Sequence, residues 1–203
     1  MKVDIKKEMK YIYSASSKKV EEVEVPKMNF IMIDGEGNPN ETPWFGEAVS
    51  ALFSTAYTIK FMIKKAEGID YSVMPLEGLW WMDDMNEFTV ENKHRWKWTL
   101  MIMQPEYVTR EIYENGLEAA KKKKGIKALD NLRFESYEEG LSAQLLHIGP
   151  YTEEEQDIEA IHKYIEENGY DKTGKHHEIY LSDMTKTAPE KLKTILRQPM
   201  KKK

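Results

Sequence analysis

His176-His177-Glu178-Ile179-Tyr180-Leu181-Ser182-Asp183 alternates with the period of a β-strand. Ile179 and Leu181 fall on one face, Glu178 and Tyr180 on the other. The apolar face is expected to pack on helices. The second face sets a carboxylate beside a phenol. Far upstream, Trp80, Trp81, Trp96 and Trp98 lie within one short region. Brought together, these groups would form an apolar cage holding a single acid. Such a cage suits flat, apolar small molecules that are cationic or electrophilic.

Outward from this stretch, the second half of the chain reads strand, helix, strand, strand. Residues 141–148 form a strand closed by Gly149-Pro150. Thr152 and Glu155 have the spacing of a capping box, and Ile158, Ile161 and Ile165 give a helical face that Asn168-Gly169 stops. Residues 194–199 make the last strand. The first half has the same order. Phe30-Ile31-Met32-Ile33 reads as a buried strand running into the turn formers Asp34-Gly35-Glu36-Gly37-Asn38-Pro39. Thr42 offers an N-cap and Pro43 the first helical position. Ala48, Leu52, Thr55, Ile59 and Ile63 then stripe a helix ending at Gly68. Residues 71–77 alternate weakly, 82–93 form an acidic connection, and 95–103 make a clear strand. Pro105 is expected to open a further helix that ends at Gly125.

The fold class expected is therefore α+β: a pseudo-symmetric duplication of a βαββ unit with a ligand cleft between the halves. The halves span about 28–103 and 131–199 within a domain of 28–200. Helix 105–125 links them, and residues 1–27 read as a polar N-terminal arm or a short edge element.

Composition narrows the function. The 203 residues carry a net charge of −5, with 32% charged, a surface that does not invite nucleic acid or anionic lipid. The lysine runs at 121–124 and 201–203 read as a helix C-terminus and a frayed tail. The absence of cysteine excludes disulfides, thiolate catalysis and cysteine-ligated metals. No apolar run reaches the roughly 20 residues of a membrane span, and residues 1–10 lack an apolar signal core. A cytoplasmic location is expected. His94, His147, His162, His176 and His177 show no chelating spacing, and no phosphate loop or GxSxG elbow appears. Neither a metal nor another cofactor is expected.

Several blocks carry a family resemblance. They are Val25-Pro26-Lys27-Met28-Asn29-Phe30, Gly35-Glu36-Gly37-Asn38-Pro39, Pro75-Leu76-Glu77-Gly78-Leu79-Trp80, Gln144-Leu145-Leu146-His147-Ile148-Gly149-Pro150-Tyr151, the His176–Asp183 stretch, and residues 188–199. Together, over about residues 20–200, the chain resembles the GyrI-like small-molecule-binding family. The resemblance implies paired βαββ units, a ligand cleft, an acidic residue on a second-half strand at the position of Glu178, and caging aromatics. Relatives include drug-sensing domains of transcription regulators and a DNA gyrase inhibitor. The stand-alone members this chain resembles most are thought to hydrolyse cyclopropane-bearing DNA alkylators. Where those members often carry Asp-Pro-Arg-Arg, this chain has Asp183-Met184-Thr185-Lys186, a weaker basic rim. The flanking segments are too short for an attached helix-turn-helix domain, so no direct contact with nucleic acid is expected.

Among the site candidates, Glu178 is read as the general base. Burial in an aromatic cage would raise its proton affinity. Tyr71 reads either as a surface strand tyrosine or as a cage wall and hydroxyl donor. Tyr180 shares the direction of Glu178. Trp98 lies on a face with Trp96, Leu100 and Ile102, and reads either as core or as cage. Trp80 and Trp81 point opposite ways in a strand, so one of them, Trp80, is the ligand-facing candidate. Trp44 anchors the first helix. The function expected is binding of hydrophobic aromatic xenobiotics, with hydrolysis of strained electrophiles. The alternative is a non-catalytic module that sequesters drugs or inhibits a protein. The sequence does not choose an oligomeric state or a physiological ligand.

Overall fold

The structure, a computed structural model, describes residues 1–123 and 125–203; Lys124, the last of the central lysine run, lies outside the described residues. In chain order the elements are β1 (Lys2–Val3), α1 (Ile5–Glu8), β2 (Glu21–Val25), β3 (Met28–Glu36), α2 (Pro43–Glu67), β4 (Asp70–Tyr71), β5 (Leu76–Trp81), β6 (Lys97–Gln104), α3 (Arg110–Lys123), β7 (Arg133–Tyr137), β8 (Gly140–Ile148), α4 (Glu155–Glu167), β9 (Tyr170–Lys172), β10 (His176–Tyr180) and β11 (Lys193–Lys202). The class is α+β with antiparallel sheet. The same order occurs twice, as β3-α2-β4-β5-β6 and β8-α4-β9-β10-β11. Each repeat is thus a βαββ unit with one short extra strand after its helix.

The chain divides into two compact units that interleave in sequence. The first comprises Met1–Glu8, Met28–Leu76 and Trp81–Tyr137; the second comprises Met9–Lys27, Glu77–Trp80 and Glu138–Lys203.

In the first unit β3 pairs antiparallel with β6 on one side and β7 on the other. α2 covers β3 and β6 and packs on α3. It buries Ala48, Ala51, Leu52, Thr55, Ala56, Ile59 and Ile63, a stripe at helical spacing whose removal from water drives the packing. Pro43 occupies the first turn as expected. Thr42 is extended but makes no side-chain cap bond, and Gly68 ends the helix at φ 71° with its N–H on the Lys64 carbonyl. α3 begins later than Pro105. That proline sits in a turn closed by the Val108 N–H, and Thr109 Oγ1 then caps the helix by accepting from the Ile112 N–H at 3.2 Å.

In the second unit β11 lies between β8 and β10, with β2 on the outer edge of β8 and β9 pairing the end of β11. α4 packs on β8, β9 and β11. Ile161 and Ile165 meet Ala143, Leu145, Leu196 and Met200. The capping box at Thr152 and Glu155 does not form. Tyr151–Glu153 wind into a 3-10 turn, and α4 opens at Glu155 without a side-chain cap bond. His147 ties the start of α4 to β8 instead, its Nδ1 lying 2.7 Å from Asp157 Oδ2.

The N-terminal segment holds more structure than its polarity indicates. Ile12 and Tyr13 are buried. Gln144 donates to the Ser14 carbonyl, and the Leu146 N–H to that of Ser16. Residues 12–16 are therefore a strap of the second unit bonded to β8, and β2 pairs with the same strand.

Candidate functional site in the second unit

Glu178 pairs with Leu196, and Leu196 with Leu145, across the ladder. Directly paired residues share a face, so Glu178 lies on the α4 side of the sheet. The helix therefore covers the face opposite to the one expected from Ile179 and Leu181. The reason is local. α4 packs on β8, β9 and β11, so Leu145 and Leu196 supply the apolar surface on that side, while β10 contributes the polar residues of the same face beside the turn that precedes the helix.

On that face Glu178 belongs to a defined constellation. Tyr180 donates its hydroxyl to Glu178 Oε2 at 2.6 Å. Trp80 donates its indole N–H to the Tyr180 oxygen at 3.1 Å. His176 Nε2 lies 3.1 Å from Glu178 Oε1. The Tyr151 ring meets Tyr180 edge-on at 5.8 Å and 85°. The Glu178 side chain keeps 15% of its surface, while Trp80 and His176 keep 4% each. Burial, and then the negative charge of Glu178, push the Tyr180 phenol well above its ordinary range. It therefore stays protonated and remains a donor to the carboxylate.

Gly78 permits this approach. A β-carbon there would lie 2.6 Å from Trp80 Nε1 and 3.2 Å from the Tyr180 oxygen. A glycine inside a strand is a mark of such close packing.

The opposite face of β10 carries a second polar cluster, not anticipated from sequence. His177 stands between two carboxylates, with Nε2 2.9 Å from Glu77 Oε2 and Nδ1 2.9 Å from Glu139 Oε1. Tyr13 donates to Glu77 Oε1 at 2.7 Å. Arg197, paired with His177 in the ladder, donates to Glu139 at 3.2 Å, to Gln144 at 2.9 Å and to the Ile12 carbonyl. The His177, Glu77, Glu139 and Arg197 side chains keep 1–2% of their surface. Burial alone would lower the His177 pKa, but the facing Glu139 and Glu77 outweigh it and hold it at about 9. Burial would likewise raise Glu139, but His177 and Arg197 draw it below its ordinary value. Each member has partners, so the cluster fastens the strap to the sheet.

The sequence candidates thus divide. Glu178, Tyr180 and Trp80 are together in the second unit. Tyr71 and Trp98 belong to the first. Tyr71 is 3% exposed, stands edge-on to Tyr107 at 5.6 Å, and has a buried hydroxyl with no hydrogen-bond partner among the described residues. Trp98 is fully buried; its ring fills the space above Gly35, its ladder partner, meets Phe45 at 5.3 Å, and donates to the Gly37 carbonyl at 3.3 Å. Trp44 donates to the Asp34 carbonyl at 3.0 Å, pinning the start of α2 to β3. Two open hollows of about 790 and 360 Å³ lie in the second unit, and none of the five candidates lines either. Among the described residues, no group of three or more His, Asp and Glu is placed to hold a metal ion.

Residues 18–201 match the GyrI-like small molecule binding domain family. The chain belongs to that family. An uncharacterized conserved protein from Listeria innocua is 41% identical over 98% of this chain and 100% of its own, with a TM-score of 0.89. A hydrolase from the same organism is 39% identical over 99% of this chain and 100% of its own, at a TM-score of 0.88. The EcmrR C-terminal domain, 14% identical over 91% of this chain and 98% of its own, shares the fold at a TM-score of 0.55. A search of curated proteins finds no significant match. The GyrI-like assignment makes this a small-molecule-binding chain. No described helix is long and apolar enough to cross a membrane.

Proposed function

We propose that this protein binds flat, apolar small molecules at the Glu178 face of β10 and hydrolyses electrophiles that carry a strained ring, such as cyclopropane-bearing DNA alkylators. The observation that carries the reading is a carboxylate whose two oxygens are held by Tyr180 and His176, with Trp80 and Tyr151 both set against Tyr180. Full-length likeness to a hydrolase from Listeria innocua supports the catalytic part.

In this reading a water attacks a ring carbon. The new C–O bond forms as the strained C–C bond breaks, and its electron pair passes to the conjugated oxygen of the substrate. Glu178 accepts the proton of the water. Tyr180 is occupied twice, donating to Glu178 and accepting from Trp80, so its role is to fix the carboxylate rather than to meet the developing charge. Apolar walls and fixed geometry supply the rest of the rate through placement and exclusion of bulk water.

The test is turnover. Incubated with a large excess of a cyclopropane-bearing alkylator, the protein should release ring-opened hydrate over many equivalents. Tight binding with no release, or release that stops at one equivalent, would favour the sequestering role instead.

A further inference from the structure

The outward face of α2 carries an aromatic ladder that the proposed function does not use. Phe53, Tyr57 and Phe61 follow at four-residue steps. Their ring centroids are 6.3 Å and 6.4 Å apart, with interplanar angles of 32° and 27°. Tyr57 is 47% exposed and Phe61 57%, while Ala48, Leu52 and Ile59 behind them are wholly buried. Scattered apolar residues on a surface need no cause, but aligned large rings mark an interaction face.

The charges along the same helix identify what fits. Glu47 stands near its start, and Lys60, Lys64 and Lys65 near its end. Lys60 and Lys64 both reach Asp70, at 3.5 and 2.7 Å. Glu47 and Lys65 are exposed, and neither has an ion-pair partner among the described residues. They lie eighteen residues apart in the sequence, about five turns at 3.6 residues per turn, so both sit on the same flank of the ladder. Tyr57 is next to their midpoint. An acid and a base placed symmetrically about one point complement the same surface turned end to end.

We propose that α2 is the interface of a homodimer, in which the Phe53–Tyr57–Phe61 ladder packs antiparallel on that of a second copy. The two-fold axis passes near Tyr57, and Glu47 of each copy faces Lys65 of the other, as an isologous contact requires. A membrane surface or an acidic partner would pair the lysines but leave Glu47 unmatched.

Sedimentation velocity over a concentration series tests the proposal. The wild type should dimerise in the micromolar range. Tyr57→Ser with Phe61→Ser, both at exposed positions, should be monomeric with an unchanged circular dichroism spectrum. Glu47→Lys and Lys65→Glu should each weaken the dimer about tenfold, since two symmetric ion pairs become repulsive at once. The double variant Glu47→Lys/Lys65→Glu should restore wild-type affinity. A wild type that stays monomeric to roughly 100 µM, a dimer that survives removal of both rings, or a double variant no tighter than the single ones would overturn it.

Discussion

His177 is the residue whose environment departs furthest from its sequence context. It titrates at about 9 against an ordinary 6.5, because Glu139 and Glu77 face it from either side and outweigh the cost of burial. A pKa raised in the folded state gives stability that is complete below about pH 6.5 and lost as pH rises through about 9. Glu139 has the opposite sign. Its folded pKa lies below 4.5, so its contribution is present above that pH and lost as pH falls further. Melting temperature should therefore fall from pH 7 to 10, and His177→Gln should flatten that alkaline limb while lowering the plateau. An alkaline limb of equal slope in the variant would show that His177 is not the titrating group. The alternation of β10 predicts opposite directions for His177 and Glu178, and the structure has them so. The partners of both were hidden. Trp80 lies 100 positions from Tyr180, and Ile12 further still from Arg197. What the sequence does display is a polar residue interrupting an apolar run, Glu77 after Leu76 and Arg197 after Leu196. Buried polar groups of that kind require partners, but the run does not say which.

Among the elements, periodicity identified α2 and α4 with their core stripes, while α3 was read from Pro105 and Gly125 alone. The starts of α3 and α4 were read less well. α3 opens about five residues after Pro105 and α4 about two after the expected start, where turns closed by Val108 N–H on the Pro105 carbonyl and Glu153 N–H on the Pro150 carbonyl come first. The edge strands are a different case: β7 was not read from the sequence, and β2 was read only as an arm or a short edge element. Glu21, Glu22 and Glu24 on β2 and the mixed polarity of β7 are what an edge carries to discourage further pairing, so neither has the apolar signature of a central strand. One element-scale pairing has a sharp consequence. Trp98 lies over Gly35, and a β-carbon at residue 35 would come within 2.1 Å of the indole. Of the two readings of Trp98, this contact favours the core one. Gly35→Ala should destabilise the protein by about 1–3 kcal/mol through overpacking and shift tryptophan emission. Trp98→Ala should cost about 3–5 kcal/mol. Paired melting curves check both, and near-wild-type stability in Gly35→Ala would mean that the ring is free to move aside.

For the whole molecule, the repeated βαββ order was legible because each repeat rewrites the same physics: a buried strand, a helix with one apolar stripe, and two further strands. Interleaving was not legible. The second unit takes Glu77–Trp80 and Met9–Lys27 from the first part of the chain. Those two segments bring Trp80 to Tyr180 and Tyr13 to Glu77. The Glu178 constellation and the buried cluster behind it are therefore products of long-range assembly. Local pattern can nominate one residue of such a site but not its surroundings.

The proposed role of Glu178 as the base of a hydrolytic site is tested by replacing it with glutamine. Glu178→Gln preserves size and hydrogen bonding to Tyr180 while removing the proton acceptor. Steady-state turnover of a cyclopropane-bearing alkylator should fall by roughly 10²–10⁴-fold, while the affinity for a non-reactive aromatic analogue should stay within about three-fold of wild type. An unchanged turnover number in the folded variant would contradict that role.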